Sequence, residues 1–321
     1  MAVLTNRFGT VMDKADVYQE IYAHLATMKN EDMQVPFDNI RLDLLNSNVI
    51  IGGETYSLSK RAESMLCSRL DIGNIHNILG TPLYNKVEKE LNDYVTTLEG
   101  DLVLKHRGGI VQAVVSEKYR EIPYDASVNV LEDIGARPIR VTTNDAILKV
   151  QAIFDAREFD YVDPADGEAV SMGVQMQSSD VGASSLQFDV FTYRHICGNG
   201  MIFGKNSIFK FRQIHVRDRF GTAAEVDKEV KRVLEIAKRE IERRTNELIK
   251  MKVDRKVVVD FLARQPFGKK ALAMLAERVV VAQSMYDVVN ILTEEGHNPN
   301  HSASLQQSFE AAAGQLMLIA A

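Results

Sequence analysis

Residues 178–201 have the sequence SSDVGASSLQFDVFTYRHICGNGM, a long alternating stretch between two glycine-containing segments. Successive side chains of a β-strand point to opposite faces of its sheet. One face, which is mostly apolar, would be formed by Leu186, Phe188, Val190, Thr192, Arg194 and Ile196. The other face, which is mixed, would be formed by Gln187, Asp189, Phe191, Tyr193 and His195. The pattern predicts a long strand with a protein core on one side.

The sequence predicts a turn at each end of this strand. Asn199-Gly200 is a strong hairpin signal, because both residues tolerate the left-handed conformations of a tight turn. We interpret Gly182, Cys197, Asn199 and Gly200 as structural turn residues. The alternative is a Cys197 nucleophile with His195 as its base, but alternate strand positions lie about 6–7 Å apart, which is long for a direct hydrogen bond. We therefore predict no catalytic residue here.

The composition is that of a globular protein. The chain has 321 residues, of which 45% are hydrophobic and 26% charged, close to the average for soluble domains. The formal net charge of -6 gives no overall attraction to nucleic acid or anionic lipid, so such binding requires a local basic patch. Two cysteines, no secretory signal and no apolar run of bilayer length lead us to expect a cytoplasmic protein without membrane contact.

Hydrophobic periodicity divides the chain into three zones. Residues 1–56 contain a candidate helix at 17–28 and a candidate hairpin over Gly52-Gly53, and their structure is otherwise uncertain. Residues 57–222 begin with helices up to residue 98 and continue with strands, including a hairpin over Gly108-Gly109. Residues 223–321 are helical. We predict an α+β fold with a central antiparallel sheet, flanked by an N-terminal helical layer and a C-terminal group of long helices.

Residues 224–251 predict a long amphipathic helix. Its apolar stripe is narrow and consists of Val226, Val230, Val233, Leu234, Ala237, Ile241 and Leu248. Opposite charges four residues apart, such as Asp227 and Lys231, favour the helix. A stripe of this width fits a partner helix. Beyond it, residues 257–296 predict two helices broken at Gln265-Pro266, and residues 304–320 predict one more.

A basic and aromatic segment follows the long strand. Between Arg194 and Arg219, Asp218 is the only acid. Cations bind phosphates, and flat rings stack on unpaired bases for about 1–3 kcal/mol per base. With the cluster on the first hairpin, the predicted nucleic-acid-binding residues are Lys105, Arg107, Tyr193, Arg194, Lys205, Phe209, Lys210, Phe211, Arg212, Arg217 and Arg219. The two clusters would form one groove if both hairpins belong to one sheet. The alternative is that these rings are core residues and the charges an ordinary solvated face.

Metal and cofactor motifs are absent from the sequence. No histidines or cysteines have the spacing of a zinc site, and no glycine-rich segment has that of a phosphate-binding loop. We therefore predict no metal and no cofactor. Two options stay open for metal binding: the pair His297 and His301, and an acidic segment with Asp155, Asp160, Asp163 and Asp166. The aspartates are typical of a solvated turn.

Several segments resemble a family of phage- and plasmid-like proteins gathered as a domain of unknown function. The resemblance covers roughly residues 57–297, and its strongest part consists of Ser179, Asp180, Val181, Gly182, Arg194, Cys197, Asn199, Gly200 and Met201. The sequence departs from the family at Gln112, where arginine is frequent. The resemblance implies a phage, prophage or plasmid origin and a bacterial host cytoplasm. Strands followed by a long helix are also similar, at fold level, to phage single-strand annealing proteins of the RecT and Redβ type.

These observations lead to one expectation and two alternatives. We expect an oligomeric, phage-encoded protein that binds single-stranded DNA and supports annealing or recombination without cofactor chemistry. The first alternative is a phage structural or host-takeover protein that acts through protein–protein contact, with the helix at 224–251 as its docking element. The second is an enzyme that uses Cys197 and His195 or the acidic segment, and we favour it least.

Overall fold

The computed structural model describes residues 4–7, 13–119, 121–144, 146–154, 160–163, 167, 169–194, 200–202, 210–213 and 223–319. Helices and two β-sheets make up this part of the chain, which confirms the predicted α+β class. None of the described helices combines the length and the apolar character that crossing a bilayer requires.

The elements are numbered in chain order. The strands are β1 (Leu4–Arg7), β2 (Glu31–Pro36), β3 (Ile40–Asp43), β4 (Asn48–Ile51), β5 (Glu54–Leu58), β6 (Asp101–Arg107), β7 (Ile110–Val115), β8 (Ala136–Thr143), β9 (Leu148–Phe154), β10 (Tyr161–Val162), β11 (Ala169–Ser178), β12 (Leu186–Arg194), β13 (Gly200–Ile202) and β14 (Lys210–Gln213). The helices are α1 (Lys14–Ala26), α2 (Lys60–Arg69), α3 (Pro82–Val95), α4 (Tyr124–Asp133), α5 (Ala223–Lys250), α6 (Arg255–Ala263), α7 (Lys269–Val279), α8 (Met285–His297) and α9 (Ala303–Ile319).

The small sheet contains the strands from residues 31–58 and 101–115. Its order is β2-β6-β7-β5-β4-β3, and every pair is antiparallel except β5 with β7. Both predicted hairpins are confirmed, because Gly52-Gly53 and Gly108-Gly109 turn with positive φ between β4 and β5 and between β6 and β7. Helices α2 and α3 share the core of this sheet through residues such as Leu66 and Leu91.

The large sheet contains the strand with which the sequence analysis began. Its order is β1-β8-β9-β11-β12-β13, with β10 on β11 and β14 on β12, and all its pairs are antiparallel. One face, with Val141, Val150, Val174 and Val190, packs into the main core. Residues of α1, α4 and α5–α9 belong to the same core.

The strands form two sheets instead of one central sheet, which corrects the predicted arrangement. The hairpin with Lys105 and Arg107 belongs to the small sheet, whereas β12 and β14 belong to the large one. The single groove that would join the two basic clusters is therefore absent from the described structure. The predicted zone boundary at residue 57 lies inside β5, since Ser57 and Leu58 pair with Ile110 and Val111.

Helix α5 has the predicted length, but its apolar stripe is not free for a partner. Six stripe residues are buried in the main core, namely Val230, Val233, Leu234, Ala237, Ile241 and Leu248. Ion pairs join Asp227 to Lys231 and Glu240 to Arg244 on the solvent side. The chain's own core therefore occupies the stripe that the protein–protein alternative assigned to a partner helix.

The region after α5 contains three helices before α9, whereas the sequence analysis predicted two. The additional break lies between α7 and α8. Ser284 begins α8 with a capping box, in which its hydroxyl accepts from the Asp287 backbone N–H and the Asp287 carboxylate accepts from the Ser284 backbone N–H. Such a reciprocal cap satisfies the open donors of a helix start, which favours a new helix at this point.

Candidate functional site

The turn between β11 and β12 is fixed by its own side chains and by one aromatic ring. The Ser179 hydroxyl accepts from the Ala183 backbone N–H at 2.8 Å. Gly182 has a φ of 69°, and a Cβ atom there would lie 3.1 Å from Cε2 of Tyr119. A left-handed conformation and a close ring both favour glycine. The turn therefore holds the neighbouring Asp180 in a defined position.

Asp180 lines a cavity of about 470 Å³. The walls are formed by Tyr22, Leu25, Ala26, Lys29, Asn30, Glu121, Pro123, Tyr124, Asp125 and Asp180. They come from the end of α1, the residues before β2, the start of α4 and the β11–β12 turn. Segments that are more than a hundred residues apart in sequence thus meet at one concave site.

Asp180 is buried, with 4% of its surface exposed. Its Oδ2 accepts from Asn30 Nδ2 at 2.7 Å, and its backbone carbonyl accepts from the Tyr119 hydroxyl at 3.0 Å. Burial raises the pKa of Asp180, although the Tyr124 hydroxyl and the Asn30 amide oppose this effect. Within the described residues, Oδ1 of Asp180 and Oδ1 of Asn30 complete no hydrogen bond of ordinary geometry. The Tyr124 hydroxyl, which also completes no hydrogen bond of ordinary geometry, is the donor next to the Asp180 carboxylate.

Lys105 lies behind this cavity and is not a surface cation. It is fully buried, and its ammonium donates to Asp32 Oδ1 at 2.8 Å and to the Glu121 carboxylate. The ammonium also lies 5.6 Å from the centre of the Tyr119 ring. The two carboxylates outweigh burial and raise the pKa of Lys105. The prediction that Lys105 binds a phosphate is wrong, because its charge is already neutralised inside the protein.

Arg107, the other predicted residue on this hairpin, is half-buried. Its Nη1 donates to the Met28 backbone carbonyl at 2.9 Å, which ties β6 to the end of α1. The basic cluster of the first hairpin is thus used largely for contacts within the chain.

The remaining predicted residues lie at or beyond β12. Tyr193 is half-buried beside Phe191, with ring centroids 6.3 Å apart, in a small apolar cluster. Arg194 ends β12, and its backbone pairs with that of Val170. Gly200 starts β13 opposite Tyr193. The predicted residues that fall outside the described part of the chain are Cys197, Asn199, Lys205, Phe209, Arg217 and Arg219, together with His195 of the alternative thiol site.

Strand β14 is where the basic segment joins the large sheet. Its backbone pairs Lys210 with Asp189, Phe211 with Phe188 and Arg212 with Gln187. Among the described strands, β14 pairs with β12 alone. The structure therefore places positions 210 and 212 on a strand at the edge of the large sheet, next to β12, which carries Tyr193.

A row of polar residues crosses the large sheet and was not found by sequence reasoning. The backbone register places in one line Arg140, Gln151, Gln175, Asp189 and Lys210. The first four of these residues are buried. Their signal is the alternation of polar residues with valines and methionines along β8, β9 and β11, which the sequence analysis took only as evidence for strands.

Helix α9 covers the β8–β9 end of this row. Glu310 accepts from Arg140 Nη1 at 2.9 Å and from Gln151 Nε2 at 3.0 Å. Gln306 accepts from Arg140 Nη2 at 2.9 Å. Burial is the main cause that lowers the pKa of the nearby Lys149, whose ammonium donates to Gln307 at 2.8 Å. A ligand cannot reach this end of the row while α9 is in place.

Of the residues named for metal binding, Asp155 and Asp166 lie outside the described part of the chain. His301 contacts Glu295, with 2.7 Å between Nε2 and Oε2. Asp163 is fully buried and accepts from the Tyr286 hydroxyl, so its assignment to a solvated turn is wrong. The described part of the chain contains no group of three or more metal-ligating side chains. Burial also raises the pKa of the Cys67 thiol to about 11, which disfavours the reactive thiolate.

Comparison with known proteins assigns the chain to a family. The family model described as a domain of unknown function, DUF932, matches residues 111–314. No curated protein and no solved structure matches the chain. The matched residues cover well over half of the sequence and include the Asp180 turn, most of the large sheet and the helices that pack on it. The chain therefore belongs to the DUF932 family.

Proposed function

We propose that the protein binds single-stranded DNA at the β12–β14 edge of the large sheet and supports strand annealing or recombination. The observation that carries the proposal is the position of β14, since this edge strand holds Lys210 and Arg212 in register with β12. An edge strand is accessible along one side. The two cations of β14, together with the basic residues that follow in the sequence, are suited to bind a phosphate backbone.

The strand order supports the same proposal. The long strands β9, β11 and β12 are antiparallel neighbours in the sheet, and α5 packs against β11 and β12. When the short strands β10, β13 and β14 are left out, these elements have a strand-strand-strand-helix order, as expected from the resemblance to phage annealing proteins. The proposal includes a phage, prophage or plasmid origin, a bacterial cytoplasm and activity without a cofactor.

The test is fluorescence anisotropy of a labelled single-stranded oligonucleotide. Lys210→Ala/Arg212→Ala should weaken binding roughly tenfold or more, because each lost charged hydrogen bond typically contributes about 1.5–3 kcal/mol. The matched control is Lys269→Ala/Lys270→Ala, which removes two exposed cations from α7. Equal affinity of the two double variants, or no binding by the wild type at micromolar protein, would refute the proposal.

We also propose that the protein is a homo-oligomer. Four valines are more than half exposed, namely Val257, Val259, Val280 and Val281. The hydrogen bond from Arg255 Nη2 to the Val280 carbonyl, at 3.1 Å, holds the start of α6 beside the end of α7. Exposed apolar groups of this kind favour association. The same valines support the second candidate function, a phage structural or host-takeover protein that acts through protein–protein contact.

A further inference from the structure

We infer that single-stranded DNA crosses the large sheet along a second row of polar residues, and that Gln187 on this row contacts base edges with a preference for adenine. The inference rests on the proposed DNA binding at the β12–β14 edge. It goes further, because it names a residue that contacts the bases and the base that this residue favours.

The second polar row lies beside the row that begins at Arg140. The backbone register aligns, in order across the sheet, Thr142, Lys149, Gln177, Gln187 and Arg212. Each position is two residues away from a member of the first row, so both rows are on the face opposite the main core. The second row therefore begins at β14, the proposed DNA-binding edge, and continues over β12, β11 and β9 to β8.

The second polar row is more accessible than the first. Its residues on β8, β9, β11 and β12 are half-buried, whereas the first-row residues on the same strands are buried. Neighbouring strands lie about 4.8 Å apart, so the row spans about 14 Å from β14 to β9. Four-stranded RNA-binding sheets hold two or three bases on one face. The second polar row has a similar extent.

The amide groups in the middle of the row have hydrogen-bonding capacity to spare. Among the described residues, the side chain of Gln187 has no hydrogen-bond partner, and that of Gln177 is bonded to Ser184, with 2.6 Å between Nε2 and Oγ. A glutamine amide contains two donors and an acceptor. It binds N6 and N7 of adenine with both groups at once. Gln187 is therefore suited to recognise an adenine that lies over β12.

The two ends of the row are cationic. One end is β14 with the cations of the proposed edge, and the other is Lys149 on β9. The Lys149 ammonium donates to Gln307 Oε1 at 2.8 Å and forms no ion pair within the described part of the chain. Burial lowers the pKa of Lys149 in spite of the nearby carboxylates of Asp189 and Glu310. A phosphate beside the ammonium would favour its charged form. Amides between cationic ends thus match a chain that carries both bases and phosphates.

The test is fluorescence anisotropy with labelled oligo-dA, oligo-dC and oligo-dT of equal length. We expect the wild type to bind oligo-dA at least roughly fivefold more tightly than oligo-dT, the lower end of the discrimination given by a bidentate contact. Gln187→Ala should remove most of this preference and leave the affinity for oligo-dT close to that of the wild type. Gln19→Ala, at an exposed position of α1, is the matched control and should keep the preference.

The outcomes separate this inference from the proposed function. If the wild type binds none of the three oligonucleotides, both are refuted. If Lys210→Ala/Arg212→Ala weakens binding but Gln187→Ala has the wild-type ratio of affinities for oligo-dA and oligo-dT, the base contact alone is overturned. If Gln187→Ala fails to fold, Gln187→Glu replaces it. This variant should raise the affinity for oligo-dC relative to oligo-dA, because a carboxylate accepts from N4 of cytosine, and an unchanged ratio would also overturn the base contact.

Discussion

Asp180 shows how one buried carboxyl can oppose folding at neutral pH. Burial raises its pKa in the folded protein, whereas an aspartate in an unfolded chain has a pKa of about 3.9. The folded state therefore binds more protons than the unfolded state between these two pKa values, and stability falls as the pH rises through that window. The stability that is lost in this window is not regained at neutral pH.

We predict that Asp180→Asn raises the free energy of unfolding at pH 7 by on the order of 1 kcal/mol, a common size for such substitutions. Asparagine keeps an acceptor for Asn30 Nδ2 but carries no charge. The gain should vanish below about pH 3.9, where aspartate is protonated in both states. Urea denaturation at both pH values measures the difference, and Asp260→Asn serves as control. A gain that is equal at both pH values, or a loss at pH 7, would contradict this explanation.

For Lys105 and Asp180, the sequence does not reveal which distant residues surround the side chain in the fold. Lys105 follows three apolar residues on a predicted hairpin and is predicted to bind phosphate, but Asp32 and Glu121 from other parts of the chain neutralise its charge. Asp180 belongs to the segment that resembles the family, and the sequence predicts no role for its side chain. Its cavity was not predictable from the motif, because the opposite walls come from residues 22–30 and 121–125.

At the scale of elements, a buried ion pair joins α9 to the large sheet. Arg140 and Glu310 are both about 95% buried, and the pair is supplemented by Gln306 and Gln151. Removing one partner of a buried pair leaves an uncompensated charge, which typically costs about 3–5 kcal/mol.

We predict that Glu310→Ala lowers the free energy of unfolding by about 3 kcal/mol or more, because Arg140 would be left buried with its charge uncompensated. Glu310→Gln keeps an acceptor of similar shape and should have an intermediate effect. Thermal and urea denaturation measure both variants, with Glu277→Ala, at an exposed position of α7, as control. If Glu310→Ala is no more destabilising than Glu277→Ala, the pair does not hold α9 on the sheet.

Elements with local signals could be predicted from the sequence. Helix α5 has a clear apolar period, and the glycine pairs at 52–53 and 108–109 determine their hairpins. The division into two sheets could not be predicted, since the parallel pairing of β5 with β7 joins segments about fifty residues apart without a local pattern. The start of α8 was missed although its capping residues Ser284 and Asp287 are visible in the sequence.

At the scale of the whole molecule, the exposed valines predict self-association. We expect size-exclusion chromatography with light scattering to give a mass above that of one chain, and Val280→Ser/Val281→Ser to shift it towards the monomer by removing apolar contact area. The control is Leu45→Ser. Leu45 lies between β3 and β4 of the small sheet and is 53% exposed, and this variant should keep the wild-type mass. A wild-type monomer at high concentration would contradict self-association.

The salt dependence of the binding constant tests whether the protein binds single-stranded DNA through its β14 edge. Each phosphate neutralised on a single strand contributes about -0.7 to the slope of log K against log salt concentration. Lys210→Ala/Arg212→Ala should therefore make the slope less steep by roughly 1.4, while Lys269→Ala/Lys270→Ala should leave it unchanged. An identical slope for wild type and Lys210→Ala/Arg212→Ala would show that the β14 edge does not contact the DNA backbone.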